Sequence, residues 1–443
     1  NKILNDYIEN DGKNYKSIMD MLRRSNPDIT GVKKGSNLID EQKELISQST
    51  QIVKNLNNSY LSIQGPPGTG KTYSSANIII ELMKAGKKVG VTSNSHEAIK
   101  TLLIAIEQQA EKQNFEFSGM RKARSSDKYD WKFIKDITTG KPLNFDDYLL
   151  YAGTSWFFVD PRINKTLDYL FIDEAGQVAL GTTIANATAA KNLVLIGDQM
   201  QLSQPMRAKH IGYAKLSSLD FILEDNDTIP ADKGIFLNNT RRLNKKICNY
   251  ISSSFYDSRL TSDPITKTRS VNLKLDPIKD EGLFYVPIDH SGCSQRSDEE
   301  ADLIEKTYNK IINKEFKVDK NSGKISPKDI MVVAPYNAQA NNIRERLKKK
   351  FKDDVRVGTI DLFQGQEAKV VLISMTTSDV ESLPRHKDFF FSRNRLNVAI
   401  SRAECVAIII FNENLLLASI NSIKEMKLMN SFCKLLKFKT NYK

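Results

Sequence analysis

A glycine-rich octapeptide, GPPGTGKT at residues 65–72, has the residue types and spacing of a loop that binds nucleotide phosphates. An apolar run precedes it and a helix-favouring stretch to about Lys84 follows it, which is the context that this motif requires. Backbone N–H groups of Gly68, Gly70 and Lys71 would surround a phosphate at the start of that helix. We therefore predict a nucleoside triphosphate site formed by Gly65, Pro66, Gly68, Thr69, Gly70, Lys71 and Thr72.

Two acidic residues, Asp173 and Glu174 in FIDEAGQ, follow a second apolar run and supply the other half of this chemistry. Lys71 would contact the β- and γ-phosphates, while the Thr72 hydroxyl and Asp173 would hold Mg²⁺. Glu174 would polarise the attacking water. A surface acid pair is the alternative for this dipeptide, and the upstream phosphate loop disfavours it. The predicted cofactors are ATP and Mg²⁺.

Seven apolar runs rich in Val, Ile and Leu alternate with helical stretches and must position these residues. They span residues 60–65, 88–93, 168–175, 192–198, 329–336, 369–375 and 405–411. Such continuous runs are typical of parallel strands that are buried on both faces, and their alternation with helices favours an α/β fold. Two sets of strands indicate two units, joined around 225–240. Residues 105–150 are charged and weakly periodic, which indicates an insertion or peripheral helices.

Composition favours an intracellular protein that binds a polyanion. The 443 residues carry a net charge of +12, and residues 424–443 hold six lysines against one glutamate, although a solvated tail is the alternative there. The four scattered cysteines form no CxxC pair, which predicts reduced thiols rather than a metal site. No signal peptide opens the chain and no apolar run reaches about 18 residues, so no membrane partner is expected. The predicted location is cytoplasmic, or nucleoid-associated in a bacterium.

The segments QGPPGTGKT, DEAGQ, GDQMQL and FQGQE together resemble superfamily 1 helicases of the Upf-like, 5′→3′ branch, over about residues 38–415. The wording of YAGTSWFF and GDQMQLSQP is closer still to bacterial helicases fused to an N-terminal RecB-like nuclease, which would lie upstream of Asn1. The resemblance implies two tandem RecA-like domains with parallel sheets and a nucleotide cleft between them. The expected domains are 38–233 and 234–443, after an N-terminal extension, 1–37, that would be the remnant of an upstream domain.

The resemblance also implies roles for residues outside the phosphate loop. Gln42 would read the adenine edge, and Gln201 would sense the γ-phosphate. Arg242 and Arg402 would be the first and second arginine fingers, with structural or surface arginines as the alternative. Arg241 falls where many relatives have a base-stacking aromatic residue. Glu367 would face the nucleotide, with Gly365 permitting close backbone approach.

A strand of nucleic acid would cross the tops of both domains, held mainly through its phosphates. The candidate contacts are short hydroxyl and amide side chains and an aromatic residue at strand ends: Thr92, Ser93, Asn94, Thr154, Pro335, Tyr336, Gln339, Thr359 and Gln364. Helix capping is the alternative for Asn94 and Ser95. Trp156 has two interpretations, a base-stacking ring or a core residue, and the core interpretation is favoured.

The predicted function is an ATP-dependent 5′→3′ helicase or translocase on single-stranded nucleic acid, with DNA favoured over RNA. The expected partners are single-stranded DNA or RNA and an upstream nuclease domain or nuclease partner. One alternative is a nucleotide-gated scaffold subunit that binds a strand without unwinding. A ring-forming P-loop ATPase is a third possibility, disfavoured because both finger candidates share a chain with the phosphate loop.

Overall fold

A computed structural model of the chain describes residues 2–124, 126–138, 147–203, 211–363, 365–379, 381, 383, 391–420 and 422–442. The chain divides into two compact units. The first comprises Asn1–Pro66, Gly70–Gln199 and Ser203–Leu237, and the second comprises Pro67–Thr69, Met200–Leu202 and Asn238–Lys443. Each unit is built on a parallel sheet with helices, so the prediction of an α/β chain with two RecA-like domains is confirmed. None of the helices in the described part of the chain combines the length and apolar character that crossing a membrane requires.

The first unit has an eight-stranded sheet whose order is β4-β3-β5-β2-β6-β7-β1-β8 and whose strand pairs are all parallel. Its strands are β1 (Tyr60–Gln64), β2 (Val89–Thr92), β3 (Gly119–Lys122), β4 (Ile134–Ile137), β5 (Leu150–Ala152), β6 (Leu167–Ile172), β7 (Ala190–Gly197) and β8 (Gly234–Phe236). Its helices are α1 (Lys2–Asn10), α2 (Lys16–Leu22), α3 (Leu45–Lys54), α4 (Lys71–Lys84), α5 (His96–Lys112), α6 (Ser155–Phe158), α7 (Leu180–Ala187) and α8 (Ser218–Leu223). The carboxyl ends of β1, β2, β6 and β7 lie along one edge, where parallel sheets bind ligands.

Residues 105–150 differ from the sequence expectation. They contain no peripheral helix in their described part beyond the end of α5, and instead supply β3, β4 and the start of β5 to the central sheet. The cause is a buried charge: Arg121 on β3 is 1% exposed and donates from Nε to Asp136 Oδ1 on β4 at 2.7 Å. Strands β3 and β4 carry this ion pair at the edge of the sheet, so they lack the continuous apolar run by which the other strands were predicted.

The second unit has a five-stranded parallel sheet in the order β12-β18-β17-β15-β16. Its strands are β9 (Asn239–Thr240), β10 (Thr261–Ser262), β11 (Ser270–Val271), β12 (Gly282–Pro287), β13 (Glu315–Val318), β14 (Asn321–Lys324), β15 (Ile330–Ala334), β16 (Arg356–Thr359), β17 (Ala368–Ser374) and β18 (Ala403–Phe411). Its helices are α9 (Lys245–Phe255), α10 (Asp298–Ile311), α11 (Asn337–Phe351), α12 (Arg393–Ser401) and α13 (Ile423–Cys433). A small antiparallel sheet, β11-β13-β14, and the parallel pair β9-β10 complete the unit.

Each unit has its own apolar core, which holds its strand ends in place. In the first, Ile63 on β1 pairs in register with Ile196 on β7, and both are buried beside Val91 and Phe171. In the second, Val332 on β15 pairs with Leu372 on β17, which pairs with Ile408 on β18. These central strands are buried on both faces, as continuous β-branched and leucine runs require.

Candidate active site and nucleic-acid groove

The phosphate loop joins β1 to α4 in the first unit. Gly70 is the N-cap of α4 and has φ of 79°, a left-handed conformation that glycine adopts without steric cost. The first helical residue, Lys71, donates from Nζ to the Gly65 carbonyl at 2.6 Å, and Thr72 is half-buried beside it. A glycine-rich turn that ends on a helix N-terminus presents backbone N–H groups to an anion. The loop therefore has the local geometry of a phosphate site.

The acid pair follows β6 at the same edge of the sheet. Asp173 is 8% exposed, and its backbone N–H donates to the Thr92 carbonyl at the end of β2 at 2.9 Å. Glu174 has φ of 52°, a left-handed conformation that is uncommon for a residue with a Cβ and that often marks functional sites. The two neighbouring residues also differ in burial: Asp173 is buried, and Glu174 is only half-buried.

Electrostatics link this acid pair to the phosphate loop. Burial and the neighbouring Glu174 carboxylate raise the pKa of Asp173 to about 7, while the Glu174 backbone N–H and the Lys71 ammonium act in the opposite direction. The structure thus brings Lys71 and Asp173 into electrostatic range of each other within the first unit. A threonine hydroxyl and a carboxylate are the hard oxygen donors that Mg²⁺ prefers, so Thr72 and Asp173 fit that ion.

Two other predicted nucleotide contacts are Gln42, in the first unit, and Gln201, in a segment that groups with the second unit. Gln42 is exposed in the turn before α3, where its backbone N–H donates to Asp40 Oδ1 at 3.1 Å. Gln201 is 8% exposed in the segment that groups with the second unit, and its carbonyl accepts from Asn394 Nδ2 at 2.5 Å. Adenine reading by Gln42 and γ-phosphate sensing by Gln201 stay predictions.

In the second unit, arginines converge on the dipeptide Gln366–Glu367. Arg242 donates from Nε to Glu367 Oε2 at 2.8 Å, and Arg402, which is 2% exposed, donates from Nη1 to the Gln366 carbonyl at 3.1 Å. Gly365, with φ of 76°, starts this turn. Three residues assigned separately from the sequence, Arg242, Glu367 and Arg402, are therefore neighbours. Together with Gln366 we name them the arginine cluster.

Sequence reasoning missed two members of this neighbourhood. Arg356 on β16 donates to the Glu367 carbonyl at 3.1 Å and to Gln366 Oε1 at 2.9 Å. Burial and the Glu367 charge raise the pKa of the Glu404 carboxyl, while Arg242 is among the cations that lower it. Nothing in the sequence marks Arg356, since its contacts are mostly with backbone. Glu404 lies two residues after Arg402 in the sequence, and this closeness to a predicted arginine finger was a detectable signal. Arg241 points away, 73% exposed, with Asp263 as its nearest acid at 3.5 Å.

A polar groove of about 560 Å³ lies on the first unit and collects three of the predicted strand contacts. Ser93, Asn94 and Thr154 line it, and Ser95 rather than Asn94 caps α5 by accepting from the Ala98 N–H. Asn94 instead donates from its amide to the Gln177 carbonyl. Thr92 is 1% exposed and does not line this groove, so its burial argues against direct phosphate contact in this conformation. We call this site the first-unit groove.

Trp156 also lines the first-unit groove, and the interpretation of this residue as part of the core is wrong. Its side chain is 86% exposed, whereas the two residues that follow it, Phe157 and Phe158, are buried. Helix α6 has only four residues and is anchored by these phenylalanines, so the ring before them faces outward. Three consecutive aromatic residues give no sequence signal of which one is exposed.

The strand contacts predicted on the second unit fare differently from one another. Pro335 and Thr359 are half-buried at the ends of the neighbouring strands β15 and β16, whereas Tyr336 is 5% exposed. Gln339 is fully buried: its amide accepts from the Ser297 N–H and donates to the Ser297 carbonyl and Ser374 Oγ. Gln339 therefore fixes the start of α10, and its prediction as a contact to nucleic acid is wrong. Gln364 lies outside the described residues.

A phosphate loop and an acid pair lie at one edge of a parallel sheet, and a second parallel unit carries arginines. This arrangement is that of a P-loop protein with two RecA-like domains. Two family models, both described as an AAA domain, match residues 37–212 and 217–414. The predicted resemblance to the Upf-like helicases of superfamily 1 is confirmed by these two matches and by the named relatives, which are helicases.

Named relatives agree with this family. The chain is 25% identical to the DNA polymerase alpha-associated DNA helicase A of Schizosaccharomyces pombe, over 77% of this chain and 59% of that protein. It is 26% identical to the human DNA replication ATP-dependent helicase/nuclease DNA2, over 79% and 35%. It is 27% identical to a regulator of nonsense transcripts 1 homolog of Neurospora crassa, over 84% and 37%. The chain thus spans less than two thirds of each of these relatives.

Among solved structures, an arterivirus nonstructural protein 10 helicase in complex with DNA is similar with a TM-score of 0.44 and 14% identity. The match covers 84% of this chain and 63% of the viral protein.

Proposed function

We propose that this chain is an ATP-driven motor that moves 5′→3′ along single-stranded nucleic acid, with DNA favoured over RNA. The observation that carries the proposal is the edge of the first sheet, where Lys71 lies in electrostatic range of Asp173 and the polar groove lies on the same unit. A phosphate site and a strand site on one rigid sheet give hydrolysis a direct route to alter strand binding.

The proposed roles divide between ground state and transition state. Lys71 holds the β- and γ-phosphates, and Glu174 accepts the proton of the attacking water. Thr72 and Asp173 would hold Mg²⁺, which when bound would neutralise developing charge on the phosphates. Arg242 and Arg402 are proposed to stabilise that charge as fingers, since a guanidinium presents a planar set of donors to phosphate oxygens.

The nucleic-acid preference rests on the relatives. Two of the three described above are named for DNA, as a DNA helicase and a DNA replication helicase/nuclease, and one is named for nonsense transcripts. The net charge of +12 suits either polymer. DNA is therefore the proposed substrate, and an upstream nuclease domain or nuclease partner and an intracellular location stay proposals.

The first experiment measures steady-state ATP hydrolysis with no polymer, with single-stranded DNA and with single-stranded RNA, at one fixed salt concentration. Salt is fixed because phosphate-driven affinity falls steeply as salt rises. We expect strong stimulation by DNA and weaker stimulation by RNA. Lys71→Ala and Glu174→Gln should abolish stimulated turnover while the folded state persists, as judged by circular dichroism.

Polarity needs a second experiment, strand displacement from duplexes that carry a 5′ or a 3′ single-stranded tail. Displacement only from the 5′-tailed duplex is the expected result. Normal stimulated turnover in both variants would refute the ATPase assignment. Stimulated ATPase without displacement from either duplex would instead favour the nucleotide-gated scaffold.

A further inference from the structure

The first-unit groove has one feature that phosphate binding does not explain, which is the exposed indole of Trp156. A ring that is 86% exposed leaves a large apolar surface in water, although Phe157 and Phe158 beside it are buried. Two small residues, Gly181 and Ala185, also line the groove and fill little of its volume. The groove thus pairs a flat aromatic surface with open space.

Polar groups surround that space. Arg124 is an exposed cation on the groove, and Ser93 and Asn186 are buried in its wall, at 1% and 0% exposure. Among the described residues, neither the Ser93 hydroxyl nor Asn186 Oδ1 has a hydrogen-bond partner. Buried polar atoms of this kind are usually satisfied, so both are suited to a bound polar ligand. Asn186 Nδ2 is already engaged, because it donates to Ser155 Oγ at 3.0 Å.

We infer that the first-unit groove binds one nucleotide of the single strand, with its base stacked on Trp156 and its phosphate near Arg124 and Ser93. This inference rests on the proposed function and names a residue that would position the strand there. The chemistry fits each part: every base has a π-face that stacks on an aromatic ring, and a cation and hydroxyl suit a phosphate. The volume of about 560 Å³ is within the range of about 300–1,000 Å³ for small-ligand sites.

The test compares an oligothymidylate of about 15 nucleotides with an abasic strand of the same length, because the abasic strand keeps the phosphates and lacks bases. Binding to the full chain is followed by fluorescence anisotropy. Trp156→Ala should weaken oligothymidylate binding roughly 5- to 150-fold, equivalent to about 1–3 kcal/mol, and should change abasic binding little. Trp156→Phe, which keeps a ring, should retain most of the affinity.

A matched control removes an exposed aromatic residue elsewhere in the first unit. Tyr7 on α1 is 48% exposed and lies outside the groove, so Tyr7→Ala should bind both strands as the unmodified chain does. The chain has two tryptophans, so Trp131→Phe leaves Trp156 as the single indole. In that variant, oligothymidylate should quench tryptophan fluorescence and the abasic strand should not.

The inference is overturned if Trp156→Ala binds oligothymidylate as tightly as the unmodified chain, or if it loses affinity equally for both strands. The second result would mean a structural or phosphate effect. Neither result would bear on the proposed function, because polymer-stimulated ATP hydrolysis is measured separately. If the unmodified chain shows no stimulation of ATP hydrolysis by polymer, the proposed function on which the inference rests is refuted instead.

Discussion

Arg242→Ala should lower the rate of ATP hydrolysis far more than it lowers the free energy of unfolding, and the structure gives the size of both effects. Arg242 Nε lies 2.8 Å from Glu367 Oε2, and the two side chains are 18% and 50% exposed. An ion pair this open to solvent contributes about 0.2–1 kcal/mol to the free energy of unfolding. An arginine finger contributes about 10³–10⁵ in rate. That is roughly 4–7 kcal/mol of transition-state free energy at 1.36 kcal/mol per tenfold.

The second unit offers a matched control in Arg346 on α11. Arg346 Nη2 lies 2.8 Å from Asp298 Oδ1, with exposures of 22% and 55%, and Arg346 also pairs with Asp302. Arg346→Ala should therefore cost at least as much unfolding free energy as Arg242→Ala. Stimulated ATPase and urea unfolding are measured for both variants. We expect only Arg242→Ala to lose turnover, by a factor of at least about 10³, which is the lower end of the range for an arginine finger.

The reasoning is refuted if Arg242→Ala keeps turnover within about tenfold of the unmodified chain, a loss of about 1.4 kcal/mol. It is also refuted if Arg346→Ala loses as much turnover as Arg242→Ala. The first outcome would leave Arg242 as a partner of Glu367 and no more. The second would mean that both losses come from damage to the second unit rather than from the chemistry.

Two further predictions concern the first unit. Burial raises the pKa of Asp136, but hydrogen bonds from Arg121 and the Tyr129 N–H outweigh burial and leave the pKa below its usual value. Asp136→Asn should lower the unfolding free energy by up to about 3–5 kcal/mol at pH 7, because it removes the nearer counter-charge of the buried Arg121 guanidinium and leaves only Asp127, whose Oδ2 lies 3.4 Å from Arg121 Nη1. A lowered pKa stabilises above the unfolded value, so urea unfolding should show the difference shrinking below about pH 4; a constant difference would contradict this. Chelating Mg²⁺ with EDTA should abolish ATP hydrolysis and leave strand binding measurable by anisotropy, and hydrolysis that persists would contradict the roles of Thr72 and Asp173.

The sequence predicted the central strands to within a few residues, because one physical signal dominates there. The run at 60–65 became β1 at Tyr60–Gln64, and the run at 369–375 became β17 at Ala368–Ser374. A strand buried on both faces must be apolar throughout, so its length is visible in the sequence. Strands β3 and β4 break this rule, since the buried pair Arg121–Asp136 replaces apolar contacts with a charge-assisted one.

Side-chain exposure was predicted less well than strand position, and two residues show why. Gln339 and Trp156 were both judged by residue type, and the structure reverses both judgements: the amide is fully buried and the indole is 86% exposed. Burial of Gln339 depends on Ser297 and Ser374, which are 42 and 35 residues away in sequence. Exposure of Trp156 depends on which of three consecutive aromatic residues faces the core. Both are set by tertiary contacts that no local pattern encodes.

The arginine cluster and its neighbour Arg356 show a further limit, because two of the four hydrogen bonds described for them are to backbone. Arg402 donates to the Gln366 carbonyl and Arg356 donates to the Glu367 carbonyl, so these two bonds would form with any residue at those positions. Only the Arg242–Glu367 ion pair and the Arg356–Gln366 side-chain bond require the residue types that stand there. The arginines therefore bind the motif FQGQE partly through its backbone carbonyls. Arg356 has no signature in the sequence, because most of its partners are backbone carbonyls that only the folded chain brings near it.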